Sequence, residues 1–215
     1  MSEQDQKDTK QRILDAAEEL FAREGYVATS LRRVTELADV NLAGVNYHFG
    51  SKEGLLEAVI ARRIEPLNQM RKSQLDRVLD QARKSGDLPP VRELWRAMVE
   101  PTLRLREQRT GAEHFISLIG RALAEPTGPE REIFLRHMMP LLHDVYAALQ
   151  QALPKLSRST LYWRIHFAIG ALSHLMRCNE QGAMLPPGVK PVADVDEMID
   201  LLLDFTTAGL ETKPC

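Results

Sequence analysis

Residues 41 to 53 read Asn-Leu-Ala-Gly-Val-Asn-Tyr-His-Phe-Gly-Ser-Lys-Glu and concentrate the side chains that have recognition chemistry to offer. Asn46 and Tyr47 carry groups that hydrogen-bond a base edge or a phosphate oxygen, and the small residues Ala43 and Gly44 let a backbone approach such a surface closely. Val45 and Phe49 lie one helical turn apart and point the other way, inward. Just upstream, Arg32 and Arg33 are candidates for contact with the same partner from their charge and position. Bond-making chemistry finds no comparable cluster. No two histidines stand at i, i+4, so the paired-histidine pattern of a zinc site is not present. There is no glycine-rich phosphate loop and no nucleophile motif. An enzyme, a metal site and a cofactor are therefore not expected.

A surface of this kind needs a small scaffold, and the preceding residues supply one. Ile13, Ala17, Leu20 and Phe21 form one apolar stripe, which predicts a helix over about Thr9 to Glu24, ended by Gly25. Thr29 or Ser30 can cap a second helix whose buried face is Leu31, Val34, Leu37 and Ala38. Asp39 and Val40 make the turn, and Asn41 can cap a third helix. Two short helices joined by a tight turn match the helix-turn-helix plan, in which the second lies in the DNA major groove.

The details go further. Ile13 to Ala17, Leu20-Phe21, Gly25-Tyr26, Thr29-Ser30-Leu31, Ala38-Asp39-Val40 and above all Asn46-Tyr47-His48-Phe49-Gly50-Ser51-Lys52-Glu53 resemble the N-terminal DNA-binding domain of the TetR family of transcriptional regulators, over roughly residues 9 to 60. The resemblance implies base or phosphate contacts from Asn41, Leu42, Ala43 and Gly44 and from Asn46, Tyr47 and His48. It also implies phosphate contacts from Thr29 or Ser30 and from Lys52, and a core position for Phe49. Two residues depart from the pattern. The family usually has glycine where Asp39 sits, and aspartate tolerates a left-handed backbone better than most residues. The family often has glutamate at Gly54, which would complete a capping box with Ser51.

Charge alone would not have pointed to DNA. Between Val27 and Lys52 three bases face two acids, a net of +1, and the whole chain carries −2. A nonspecific nucleic-acid coat needs clustered positive charge and is not expected; placed, specific contacts are.

The 215 residues suffice for a small N-terminal domain and a larger second one without a disulfide staple. Cys178 falls in an expected helix and Cys215 is the last residue, so no bridge between them is expected and a reducing cytoplasm fits. The domains expected are a disordered arm over residues 1–8, a helix-turn-helix domain over 9–55, and a ligand-binding and dimerisation domain over 56–215. The first ten residues hold no secretory apolar run, and Leu161 to Met176 is too interrupted by Arg164, His166 and His174 to cross a membrane. Breakers divide the remainder into helices over about 51–85, bent at Pro66; 91–108, bent at Pro101; 112–125; 129–153; 159–181; and 195–210. Almost nothing alternates with period two, so the fold class is all-α.

Two of these helices are apolar on more than one side. Leu161, Ile165, Ala168 and Leu172 on one, with Ile199, Leu202 and Phe205 on the other, are the residues expected in a two-fold homodimer interface, which the resemblance also implies. Two reading heads would then meet a pseudo-palindromic double-stranded operator. Trp95, Met98, His114, Phe115, Leu118, Met138, Met139, Leu142, Tyr162, His166 and Met176 are of the kinds that line an adaptable apolar pocket. A small apolar effector wedged there and swinging the fourth helix would release DNA. The run Leu161 to Phe167 with Gly170-Ala171, and Asn41-Leu42-Ala43, are similar to fatty-acid-responsive TetR regulators, which implies an acyl-chain or acyl-CoA effector. Against this stands a helical ligand-binding or interaction module that no longer reads DNA; the polar face kept by Asn46, Tyr47 and Lys52 argues against it.

Overall fold

A computed structural model describes residues 3–107, 112–124, 127–177 and 185–213. Among these there are helices and no strands: α1 (Glu3–Glu24), α2 (Leu31–Ala38), α3 (Leu42–Phe49), α4 (Lys52–Ser85), α5 (Val91–Leu103) with a 3-10 turn at Arg104–Glu107, α6 (Ala112–Ala124), α7 (Pro129–Ala152), α8 (Arg158–Arg177) and α9 (Val195–Glu211). Cys178 and Cys215 lie outside the described residues. Pro66 and Pro101 sit inside α4 and α5, which continue as helices past them.

One expectation fails at the N-terminus. Residues 3–8, read as a disordered arm, belong to α1. They contain no glycine or proline, and Asp5 and Asp8 near the start favour the positive end of the helix dipole. Thr9 Oγ1 adds a hydrogen bond to the Asp5 carbonyl at 2.8 Å.

The chain divides into two compact units whose borders differ from the expected domains. The first comprises residues 1–66 and 108–137. Its core holds the predicted stripe of Ile13, Ala17, Leu20 and Phe21, together with Val34, Ala38 and Val45, and Leu55, Leu56, Val59 and Ile60 of α4. Here α6 joins the helix-turn-helix elements because Phe115, Leu118 and Ile119 are buried and α6 packs on α1. Arg121 of α6 fastens that contact, donating from Nη2 to the Ala22 carbonyl at 3.0 Å, at the negative end of α1. Leu37, expected in the core, is 49% exposed. It borders an open cleft lined by charged residues of α1 and α4, so α2 buries only Val34, Thr35 and Ala38.

The first unit also buries Glu18, which Arg62 and Arg63 neutralise together, the latter at 3.1 Å. An acid so deeply buried persists only with such partners.

The second unit comprises residues 67–107 and 138–215. Within it α9 packs against α5 and α8. Arg92 and Arg96 both reach Asp200 at 3.0 Å, and Arg104 reaches Asp196 at 2.6 Å. Arg164 closes the end of α9 by donating to the Leu210 carbonyl at 2.9 Å.

Candidate nucleic-acid interface

The reading helix is held by caps at both ends. Asn41 precedes α3 with extended backbone, and its Oδ1 accepts the Gly44 N–H at 2.8 Å. Gly50 ends the helix at φ +71, its N–H bonded to the Asn46 carbonyl at 3.0 Å. The turn before α3 bends at Asp39, whose φ of 52 and ψ of 54 are left-handed. Aspartate thus occupies the conformation for which the family usually supplies glycine.

Val45 is buried and turns the opposite side of α3 outward. On that side Leu42, Ala43, Asn46 and Tyr47 are exposed, Tyr47 to 74%, and Gly44 has open space before it apart from the Asn41 cap. His48 is half-buried, its ring edge-on to Tyr47 at 5.1 Å, and Phe49 is half-buried rather than fully in the core. So α3 presents a short apolar and amide face with one prominent phenol.

The flanking residues divide. Ser30 caps α2, accepting the Arg33 N–H at 3.3 Å, and is exposed, as is Arg32. The guanidinium of Arg33 pairs with Glu24. Thr29 is a correction: it is buried, and its hydroxyl donates to the Gly25 carbonyl at 2.8 Å. It finishes α1 internally and offers nothing to a phosphate. Asn41 likewise spends its side-chain oxygen on capping.

Lys52 opens α4 and is held in place before any partner arrives. Its ammonium lies 4.3 Å from the centre of the Tyr26 ring and 3.4 Å from the Val27 carbonyl. Burial lowers its pKa, against the opposing pull of Glu130. Burial also raises the Tyr26 hydroxyl, with Glu53 and Glu130 adding to it. Glu130 accepts the Tyr26 N–H at 2.9 Å. Tyr26 and Glu130 therefore position Lys52, a role that sequence reasoning missed because Glu130 lies far along the chain.

The junction after α3 is tight. Ser51 Oγ caps α4 by accepting the Gly54 N–H at 3.0 Å. A Cβ on Gly54 would stand 2.3 Å from the Phe49 carbonyl oxygen, closer than real contacts allow. The missing capping-box glutamate thus coincides with a site that has no room for any side chain.

Family models match two stretches of the chain. Residues 13–59 match "Bacterial regulatory proteins, tetR family", and residues 96–209, more than half of the chain, match "Tetracyclin repressor-like, C-terminal domain". The chain belongs to the TetR family. Among curated TetR-type relatives, the probable HTH-type transcriptional regulator YttP of Bacillus subtilis is 40% identical over 53 residues, covering 25% of this chain and 26% of that protein. The HTH-type transcriptional repressor KstR of Rhodococcus jostii is 37% identical over 73 residues, covering 34% of each. The chain spans well under two thirds of the length of these relatives. Solved structures share the TetR fold along nearly the whole chain. The fatty acid degradation regulator FadR from Bacillus halodurans superposes with a TM-score of 0.66 at 15% identity, covering 95% of this chain and 97% of that one. AibR, solved with isovaleryl coenzyme A and operator DNA, gives 0.61 at 19% identity, with 92% and 97% covered.

The expected effector residues are divided between the two units of this TetR chain. Phe115 and Leu118 are buried in the first unit, and Trp95, Met98 and Met138 in the second. Leu142 and Met176 are half-buried, while Met139 is 41% exposed. His114 is a correction, since it lines the charged cleft of about 670 Å³ with Arg12, Asp15, Glu18, Arg62 and Arg63. Tyr162 and His166 are corrections too: both are exposed, with stacked rings 5.9 Å apart.

The dimer residues are also reassigned. Leu161, Ile165, Ala168, Ile199 and Leu202 are buried within the chain and Leu172 is half-buried, so they face their own core. The outward face of α8 carries Tyr162, Trp163, His166 and Phe167, and that of α9 carries Leu201 and Phe205, the last 72% exposed. Only Phe205 of the expected set lies outside. Among the described residues no helix is long and apolar enough to cross a membrane, and no group of His, Cys, Asp and Glu could hold a metal ion.

Proposed function

We propose that this chain is a sequence-specific transcriptional repressor of the cytoplasm that binds a pseudo-palindromic operator as a homodimer and leaves it when a small apolar effector binds, and that it is no enzyme. The observation that carries the reading is α3: capped at both ends, buried only through Val45, and showing Ala43, Asn46 and Tyr47 to solvent. Direct readout needs such a helix, with side chains that reach base edges and a backbone thin enough to enter the groove.

Exposed Ser30, Arg32 and the clamped Lys52 flank that face as phosphate contacts, which set register without reading sequence. The self-association reading rests on the exposed aromatic patch of α8 and α9, since patches of this kind on soluble chains mark interaction sites. AibR was solved with an acyl-CoA and its operator, which supports an effector of acyl type for this family member.

The test is a footprint of the purified protein on DNA flanking its own gene. A protected pseudo-palindrome whose protection survives excess random DNA supports the reading. Binding no tighter than to random DNA refutes it.

A further inference from the structure

Among the described residues, the second unit contains a buried cation with no acid paired to it. Arg71 of α4 is 5% exposed. Its Nη1 donates to Asn68 Oδ1 at 2.7 Å and lies 3.4 Å from the Met138 sulfur; its Nη2 donates to Thr102 Oγ1 at 2.5 Å. Its Nε is buried and has no hydrogen-bond partner among the described residues. All these partners are neutral, and a thioether is a weak acceptor. Its neighbour in sequence, Lys72, by contrast pairs with two acids, Asp76 and Asp144, at 3.0 and 3.2 Å. The contrast with Glu18, neutralised by two arginines, is direct.

A guanidinium loses far more on leaving water than three neutral contacts return. Burial lowers the Arg71 pKa to about 10, so it remains a cation at neutral pH. A second donor, the Trp95 Nε1, is also buried and has no partner among the described residues. Trp95 lies seven residues before Thr102 on α5, which places the two on the same side of that helix. Two buried donors without acceptors call for a molecule that brings acceptors and negative charge.

The surroundings limit which molecule. Leu67 and Leu75 stand one turn on either side of Arg71 on α4 and are buried, as are Met98 on α5 and Leu141 on α7. A single cation among such residues suits a single negative charge on an apolar body; a phosphate-rich group would leave charge unbalanced. Carboxylates take Nε and a neighbouring Nη in parallel. Met138, unbranched and adaptable, covers the guanidinium and can move aside.

We propose that Arg71 anchors the carboxylate of an apolar monocarboxylic acid bound between α4, α5 and α7 of the second unit. This rests on the regulator reading above and narrows its effector from acyl compounds in general to free acids.

The test is thermal unfolding of the full-length protein with straight-chain acids from butyrate to palmitate, each beside the alcohol of equal length. At least one acid raises the wild-type Tm by about 5 °C or more at saturating concentration while its alcohol does not. Arg71→Met removes that difference, weakening the acid at least tenfold and the alcohol little. Arg71→Lys, which keeps the charge, retains part of the preference and serves if the methionine variant does not fold. Acids that never exceed their alcohols overturn the anchor, as does an Arg71→Met protein that binds acid like wild type. Operator binding is read on the same samples. Specific DNA binding without any acid response sinks the anchor and leaves the regulator; an acid response without DNA binding does the reverse.

Discussion

Replacing Phe205 by serine should disrupt the homodimer proposed above while leaving the fold of each chain intact. Phe205 is 72% exposed on α9, beside Leu201 at 51%, and Phe167 of α8 is 68% exposed. A phenylalanine offers about 200 Å², so close to 140 Å² is open to cover. At ~25 cal/mol per Å² that area is worth about 3.5 kcal/mol per chain, or about 7 kcal/mol for a symmetric pair. Ordering of side chains and imperfect packing reduce such sums, and about half is a fair expectation for the measured loss. Roughly 3.5 kcal/mol weakens dimerisation about 300-fold. Sedimentation velocity from nanomolar to tens of micromolar protein measures this directly. The matched control is Leu202→Ser, three residues earlier on α9 but only 8% exposed. It should lower thermal stability by about 2–4 kcal/mol through a cavity in its own chain. An unchanged dimerisation constant in Phe205→Ser, or a wild-type protein that sediments as a monomer throughout, refutes the reasoning.

Tyr47→Ala and Asn46→Ala should each weaken binding to the specific operator by about 1–3 kcal/mol without loss of helicity, as gel shift and circular dichroism would show; full affinity in both variants removes α3 from the interface. Lys52→Ala should weaken binding to all sequences and reduce the slope of log K against log salt by about 1, and an unchanged slope means that its ammonium stays on Tyr26 and never meets a phosphate. Thr29→Val should cost about 1–2 kcal/mol in a urea melt because the Gly25 carbonyl loses a donor, while DNA affinity of the folded protein is kept; lost affinity at intact stability would return Thr29 to the interface.

The local chemistry of the reading head was legible because it depends on neighbours in sequence. Asp39 could be read as a left-handed turn residue, Gly25 and Gly50 as helix ends and Asn41 as a cap, since each acts within four residues of itself. Facing was not legible where a helix is apolar all round. Leu201, Leu202, Leu203 and Phe205 are equally apolar in sequence, and only the packing of α9 on α5 and α8 shows that Leu202 and Leu203 turn inward. Thr29 and Ser30 are adjacent hydroxyls that both suit a helix start, and the Gly25 carbonyl decides which is internal. The placement of α6 with the reading head depends on contacts far apart in the chain, such as Arg121 with Ala22. Arg71 had a signal that charge obscured: Leu67, Arg71 and Leu75 share one i, i+4 row, which puts the cation on the inward stripe.

The contact between Gly54 and the Phe49 carbonyl has a mechanical consequence. Where two helices meet through a loose loop, one can tilt while the other stays, and displacement dissipates in the hinge. Here Ser51 bridges the joint by bonding forward to Gly54 and back to the Phe49 carbonyl at 2.7 Å, and the backbones leave no gap for slack. The last residue of α3 and the first turn of α4 therefore move as one rigid elbow. The two bonds tie the orientation of the exposed face of α3, with Asn46 and Tyr47, to where α4 begins.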